Sequence, residues 1–173
     1  HYNPNQTCCG QPAFNTGYWD ESRKLANKFL KDFEGNRLIV SPSASCVGFI
    51  KNNYKKLFKD DAEKLDECER VSGLAYELTD FLVNVLNVES LGAKFPHKVT
   101  FHDSCSALRE YGIKEEPRKL LSNVEGLELI EMEESETCCG FGGTFSVKNT
   151  SISSAMVEKK VENAIASGAE FIV

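Results

Sequence analysis

No apolar run in these 173 residues approaches the about 20 needed to carry a helix across a bilayer, so no transmembrane segment is expected. The opening His1-Tyr2-Asn3-Pro4-Asn5 has neither a basic nor an apolar stretch, so no signal peptide is read there. A start without methionine points to further sequence upstream. The chain also lacks an excess of cations. Its net charge is −6 and its lysines are scattered or paired with acids, as from Lys55-Lys56 to Asp60-Asp61. Phosphate binding needs a clustered cationic face, so nucleic acid is not an expected partner. No low-complexity tract appears, and no flavin, nicotinamide or haem motif. The glycines of Phe141-Gly142-Gly143 fail the spacing of phosphate-loop and dinucleotide fingerprints. The paired Cys-x-x-Cys spacing of structural zinc sites is missing too.

What remains is an ordinary globular composition, 41% hydrophobic and 27% charged, with an unusual stock of seven cysteines. It is long enough for one domain with a sizeable core or for two small lobes. Secreted disulfide scaffolds are shorter, with an even cysteine count. Here the count is odd, and four of the seven form two adjacent pairs, which bridge only through a strained peptide. Metal or redox use in a reducing, cytoplasmic compartment is the expectation.

The organising feature is a repeat. Thr7-Cys8-Cys9-Gly10 returns unchanged as Thr137-Cys138-Cys139-Gly140. Each copy is followed by a small or aromatic loop and then by helical periodicity. That periodicity runs over Trp19 to Phe33 through Leu25, Phe29 and Leu30. It returns over Ser151 to Ser167 through Ile152, Met156, Val157, Val161 and Ile165. A glycine stop and a short apolar strand follow each helix: Gly35 before Leu38-Ile39-Val40, and Gly168 before Phe171-Ile172-Val173. That is the second half of a βαβ unit with a buried parallel strand.

The single cysteines Cys46 and Cys105 stand where a strand gives way to a helix. Leu38-Ile39-Val40 leads to Cys46 and a helix over Val47 to Phe58. Val99-Thr100-Phe101 leads through His102-Asp103-Ser104 to Cys105 and a short helix ending at Tyr111. Between them, Ala62 to Arg70 and Ser72 to Asn87 read as helices, and Gly92 to Pro96 as a link. Leu127-Glu128-Leu129-Ile130 reads as a strand feeding the second Cys-Cys-Gly. The expected fold is α/β, with two similar lobes of parallel βαβ units, helices on both faces, and Cys-Cys-Gly loops at the C-terminal edge of the strands. The lobes are expected at 1–94 and 95–173.

Overlaying the copies sharpens the chemistry. Between Cys9 and Cys46 lie 36 residues, and between Cys105 and Cys138 lie 32. The composite unit is a front cysteine, Cys-Cys-Gly and a rear cysteine. By this spacing the first copy lacks its front cysteine, roughly 25 residues before His1, and the second its rear one, just beyond Val173. Both lobes are thus expected to be truncated, the first at its front and the second at its rear. Iron–sulfur clusters take thiolates converging from several directions. Adjacent cysteines on a turn reach different irons, and a following glycine admits close backbone approach. Cys46 and Cys105 at helix N-termini gain from the partial positive charge there.

Cys8-Cys9-Gly10-Gln11-Pro12 and Cys138-Cys139-Gly140-Phe141-Gly142-Gly143, with Cys46 and Cys105 so spaced, resemble the cysteine-rich CCG domain family. That family includes the cysteine-rich subunit of heterodisulfide reductase and the iron–sulfur subunits of glycolate and glycerol-3-phosphate oxidoreductases. Pro42-Ser43-Ala44-Ser45-Cys46-Val47-Gly48 and Gly142-Gly143-Thr144-Phe145-Ser146-Val147 are similar to its lactate-utilisation protein A group. The resemblance implies a 4Fe–4S cluster in each complete unit, with ligand roles for Cys8, Cys9, Cys46, Cys105, Cys138 and Cys139. It implies a non-flavin subunit working with other subunits of a lactate-utilisation complex, which oxidises L-lactate or a related 2-hydroxyacid to the 2-oxoacid. In this stretch alone the clusters are expected to be absent or replaced by zinc. One departure is plain: the family's His-Asp-Pro-Cys-His is here His102-Asp103-Ser104-Cys105-Ser106, without the second histidine.

Blander readings stand beside these. Cys68, inside a charged helix, reads as a small buried hydrophobe. Zinc is the rival metal for the other six. His102 and Asp103 fit a helix-capping role as well as a functional one, and His97 reads as a surface residue. Two further functions remain open: thiol or heterodisulfide chemistry at the cluster, and a structural zinc module.

Overall fold

The computed structural model describes residues 2–173, which form two compact units dividing between Leu78 and Thr79. The protein is mixed α/β with small parallel sheets.

In the first unit the Cys8-Cys9-Gly10 loop runs into a one-turn helix α1 (Gln11–Asn15), with Pro12 in its first turn, and then α2 (Trp19–Asp32). Buried Ser22, Ala26 and Leu30 fall at four-residue intervals and form the inner face of α2. Gly35, at φ +90°, turns the chain out of α2 towards β1 (Ile39–Ser41). Then come α3 (Ala44–Leu57), α4 (Ala62–Leu74) and β2 (Ala75–Glu77). Ser43 caps α3 by accepting from Cys46 N at 3.4 Å, and Asp61 caps α4 by accepting from Lys64 N at 3.1 Å. β1 and β2 pair in parallel, Ile39 opposite Ala75 and Ser41 opposite Glu77. The core is aromatic. Phe49 meets Phe14 edge-on at 5.3 Å and Tyr54 at 5.7 Å, and Tyr54 meets Phe29 at 5.9 Å.

The expected helix over Ser72 to Asn87 is broken. The chain leaves α4 at Leu74, pairs as β2, makes the short α5 (Leu78–Asp80), and widens into a π-helix over Phe81–Val85. Residues 75–77 are what supply β1 with a parallel neighbour, a tertiary demand that outweighs local helical periodicity. Residues after Leu78 hold to the second unit. Asn84 donates to Glu116 at 2.9 Å, Tyr111 to Asp80 at 2.5 Å, and Lys119 pairs with Glu89 at 2.6 Å.

The second unit continues with β3 (Lys98–Thr100), the expected short helix, which is of π type over Ser106–Tyr111, α6 (Glu115–Ser122) and β4 (Glu128–Leu129). The second Cys-Cys-Gly follows, then α7 (Thr144–Lys148), α8 (Thr150–Ala166) and β5 (Phe171–Ile172). The sheet is all parallel in the order β4-β3-β5, with Val99 and Thr100 of the central strand fully buried.

α8 turns the unexpected way. The apolar stripe of Ile152, Val157, Val161 and Ile165 is exposed, while Ser153, Lys160, Asn163 and Ala164 face inward. The polar residues win that face because each of the first three bonds to the segment carrying the second Cys-Cys-Gly.

Replacing Phe49, which is 1% exposed, by alanine should lower stability by about 3–5 kcal/mol, read from the denaturant midpoint. The exposed pair Lys55–Glu69 should be dispensable: Glu69→Ala should leave the midpoint where it was.

Candidate functional site

Both Cys-Cys-Gly loops are built by the same bonds. In the first, Gly10 N donates to Cys8 Sγ at 3.4 Å; in the second, Gly140 N donates to Cys138 Sγ at 3.4 Å. Each glycine carbonyl is then held by a buried serine on the following long helix. Ser22 Oγ donates to Gly10 O at 3.0 Å, and Ser153 Oγ to Gly140 O at 2.9 Å. Both glycines have positive φ and no room for a side chain. A Cβ on Gly10 would lie 3.0 Å from Ser22 Oγ, and one on Gly140 2.8 Å from Met156 Cβ and 2.9 Å from Ser153 O. Sequence reasoning found the glycines but missed the serines. They stand 12 and 13 residues after the glycines, so extending the overlay into the helices would have found them.

A lysine ties each loop further upstream. Lys28 Nζ donates to Asn5 O at 2.6 Å; Lys160 Nζ donates to Glu134 O at 2.6 Å and Ser135 O at 3.1 Å. In the first loop the buried Tyr54 hydroxyl also donates to Cys9 O at 2.9 Å.

The expected cysteines come together within each unit. In the first, Cys9 donates to Cys46, which Ser43 and Ser45 also face, with Cys8 close by. The Cys9 bond is the largest cause holding the Cys46 thiol below its ordinary range, against burial. The same bond, with burial, pushes Cys9 up. In the second unit Cys105 faces Cys138 and Cys139, and burial followed by the field of Cys138 raises it. Cys46 occupies the first turn of α3, while Cys105 directly precedes the π-helix. Cys68 is buried apart from both groups, its thiol raised to about 11 by burial.

The residues ahead of Cys105 divide their roles. Ser104 is the cap, its Oγ accepting from Ala107 N at 3.2 Å. Asp103 is buried and held by both terminal nitrogens of Arg118, at 2.8 and 2.7 Å; Arg118 reaches on to Glu131 at 2.6 Å. His102 lies at the sheet edge, its backbone N donating to Val173 O at 2.7 Å, and its Nδ1 is buried without a partner. Burial, and then Lys160, hold its imidazole below the ordinary histidine range. Arg118 carried no motif and was not foreseen. His97 pairs with Glu170 at 2.8 Å on the surface.

Each unit thus gathers three thiols, two on a glycine turn and one at a strand-to-helix junction, with backbone N–H groups aimed at sulfur. Among the described residues no group of three or more His, Cys, Asp or Glu is close enough to hold a single ion. Thiols drawn from a turn and from a separate junction are donors of the type an iron–sulfur cluster takes, its thiolate ligands being spread over several metal atoms. Beside Cys9 and Cys46 the first unit opens into a cavity of about 820 Å³, bordered by β1 and by Arg37.

The cysteine-rich domain family abbreviated CCG matches residues 1–51 and 99–173, the two stretches that contain all six cysteines. The chain belongs to the CCG family. Over 168 residues it is 46% identical to lactate utilization protein A 2 of Bacillus cereus (strain Q1), covering 97% of this chain and 69% of that protein. It is 45% identical over 168 residues to lactate utilization protein A of Bacillus subtilis (strain 168), covering 97% of this chain and 70% of the relative. Residues 52–98, outside the CCG match, carry Cys68 and no other cysteine. Among the described residues no helix is long and apolar enough to cross a membrane.

Two outcomes follow for the CCG loops. Gly140→Ala should destabilise by more than Gly17→Ala. Both residues have positive φ, which costs about 1–2 kcal/mol, but only Gly140 adds a steric clash, since nothing lies within 4 Å of a Cβ at Gly17. Denaturant midpoints of the two variants read the difference. In the metal-free, reduced chain, Cys46 should be alkylated with a pH midpoint below the about 8.5 of a free thiol. Its thiolate persists as pH falls and is lost only through the lowered value. Cys9→Ala should move that midpoint up, as mass spectrometry of the labelled peptide would show.

Proposed function

We propose that this chain is an iron–sulfur electron-transfer subunit of a complex that oxidises L-lactate, or a related 2-hydroxyacid, to the 2-oxoacid. Cys8, Cys9 and Cys46 supply three of the thiolates of one 4Fe–4S cluster, and Cys105, Cys138 and Cys139 three of those of another. The observation that carries the reading is the doubled loop, in which the same N–H to sulfur and serine to carbonyl bonds recur around adjacent cysteines. The names of the relatives supply the substrate class.

Oxidation of a 2-hydroxyacid releases two electrons and two protons. When bound, a cluster supplies one-electron storage spread over its irons. The chain's own residues do the rest. Backbone N–H groups of Gly10 and Gly140 stabilise anionic sulfur, and Ser22 and Ser153 keep each loop seated on its helix. Ser43 and Ser45 favour the thiolate of Cys46. The hydroxyacid site and the next electron acceptor belong to partner subunits in a cytoplasmic assembly.

Full-length protein reconstituted anaerobically with iron and sulfide should bind both and give a paramagnetic signal on one-electron reduction. Cys139→Ser should lower the iron content by about one cluster and leave the first unit loaded. Stoichiometric zinc with no redox response would overturn the proposal in favour of a structural module. Reduction of a heterodisulfide by the isolated, loaded protein would replace electron relay with thiol chemistry.

A further inference from the structure

The repeat is unbroken at the cysteines and broken at the charge behind them. In both units a lysine from the long helix donates to the carbonyl three residues ahead of the first cysteine, Lys28 to Asn5 and Lys160 to Ser135. In the first unit that ammonium is cancelled: Asp32, one turn further along α2, accepts from Lys28 Nζ. In the second unit the residue one turn further along α8 is Ala164. Among the described residues Lys160 forms no ion pair; the contacts of its ammonium are the two carbonyls of Glu134 and Ser135. The settings differ as well. Lys28 is half-buried, whereas Lys160 is buried.

Two carboxylates, Glu134 and Asp103, act on Lys160 through their fields, but neither pairs with it. Glu134 is exposed, and its carboxylate is held by the neutral amide of Asn163 at 2.9 Å. Asp103 is neutralised by Arg118, whose second partner Glu131 is half exposed. In the first unit, Arg37 and Glu34 both border the open cavity beside Cys9 and Cys46, exposed and opposite in sign. Exposed charges are screened by solvent, while a buried one is screened much less over the same distance.

We infer that the two cysteine centres are electrostatically unequal, and that the uncompensated ammonium of Lys160 makes the second the stronger electron acceptor. The inference rests on the cluster reading above. Adding an electron makes a thiolate-ligated centre more negative, so a fixed cation nearby stabilises the reduced form and raises the potential. An electron shared between the two centres therefore resides on the second, which is reduced by one as the first is oxidised by one. Lys160 is here a positioning and tuning residue, acting through its charge without touching substrate.

The test is an anaerobic redox titration of the loaded full-length protein followed by electron paramagnetic resonance. The two signals are assigned with Cys9→Ser, which leaves only the second centre. In the unaltered protein the second centre should be reduced first. Lys160→Met should shift its reduced-to-oxidised ratio at fixed potential by about tenfold towards oxidised, about 59 mV for a one-electron couple, and leave the first centre unmoved. Lys160→Arg keeps the charge and should keep the potential, an outcome a merely structural lysine would not produce. Asp32→Ala leaves Lys28 unpaired on a half-exposed helix face, so it should fold and raise the first centre by a smaller amount. Equal potentials in the unaltered protein, or unchanged potentials in both Lys160→Met and Asp32→Ala, would overturn this inference while leaving the cluster reading intact. A protein that takes up no iron in either unit would overturn both.

Discussion

The contact on which each cysteine centre depends is a single hydrogen bond, from a buried serine on a long helix to the carbonyl of a glycine that follows two cysteines. It fixes the distance between loop and helix so closely that a Cβ on the glycine would meet the helix it is bonded to. With the loop seated, the glycine N–H points back at the first cysteine sulfur. Adjacent cysteines on an unsupported turn would sample many directions. Here they are presented to the same region as the third thiol, which a strand-to-helix junction delivers from another part of the chain. The requirement is geometric before it is chemical, and it explains why glycine and serine recur along with the thiols.

A second consequence falls on the helix. A helix that must bond to a loop through serine, lysine and asparagine cannot devote that face to aliphatic packing. In α2 the two demands are shared, since Ala26 and Leu30 lie inward beside Ser22 and the aromatic cluster of Phe29 and Tyr54 closes the core. In α8 the inward face is Ser153, Lys160, Asn163 and Ala164, and the aliphatic stripe turns outward. Periodicity counts apolar residues and assumes that they mark the buried side. Where the buried side is committed to holding a loop by hydrogen bonds, that assumption fails, and α8 shows it failing.

Much of the rest was legible. The glycine stops before β1 and β5, the strand-to-helix placement of Cys46 and Cys105 and the bounds of α2 follow from local pattern, because local chemistry decides them. β2 was not legible. Ala75-Tyr76-Glu77 extends only because β1 needs a parallel neighbour, and that need lies more than thirty residues away in sequence. Nor were the two π-helices, whose bonds from Leu86 N to Phe81 O and from Gly112 N to Ala107 O are tertiary accommodations in otherwise helical sequence. Arg118 was invisible for a related reason. Its role is set by the buried Asp103 and has no spacing to announce it.

Two copies that share ligands, glycine, serine and lysine form an internal control, in which whatever differs between them stands out against a common background. Around the lysine what differs is Asp32 against Ala164, and half-burial against burial. A protein that needed two equivalent electron stores would gain nothing from that difference. Burying an ammonium against carbonyls alone is costly, while a carboxylate one turn away, as at Asp32, would relieve the cost. A charge kept buried without that relief acts on what lies nearest to it, and in the second unit that is the segment leading into Cys138 and Cys139.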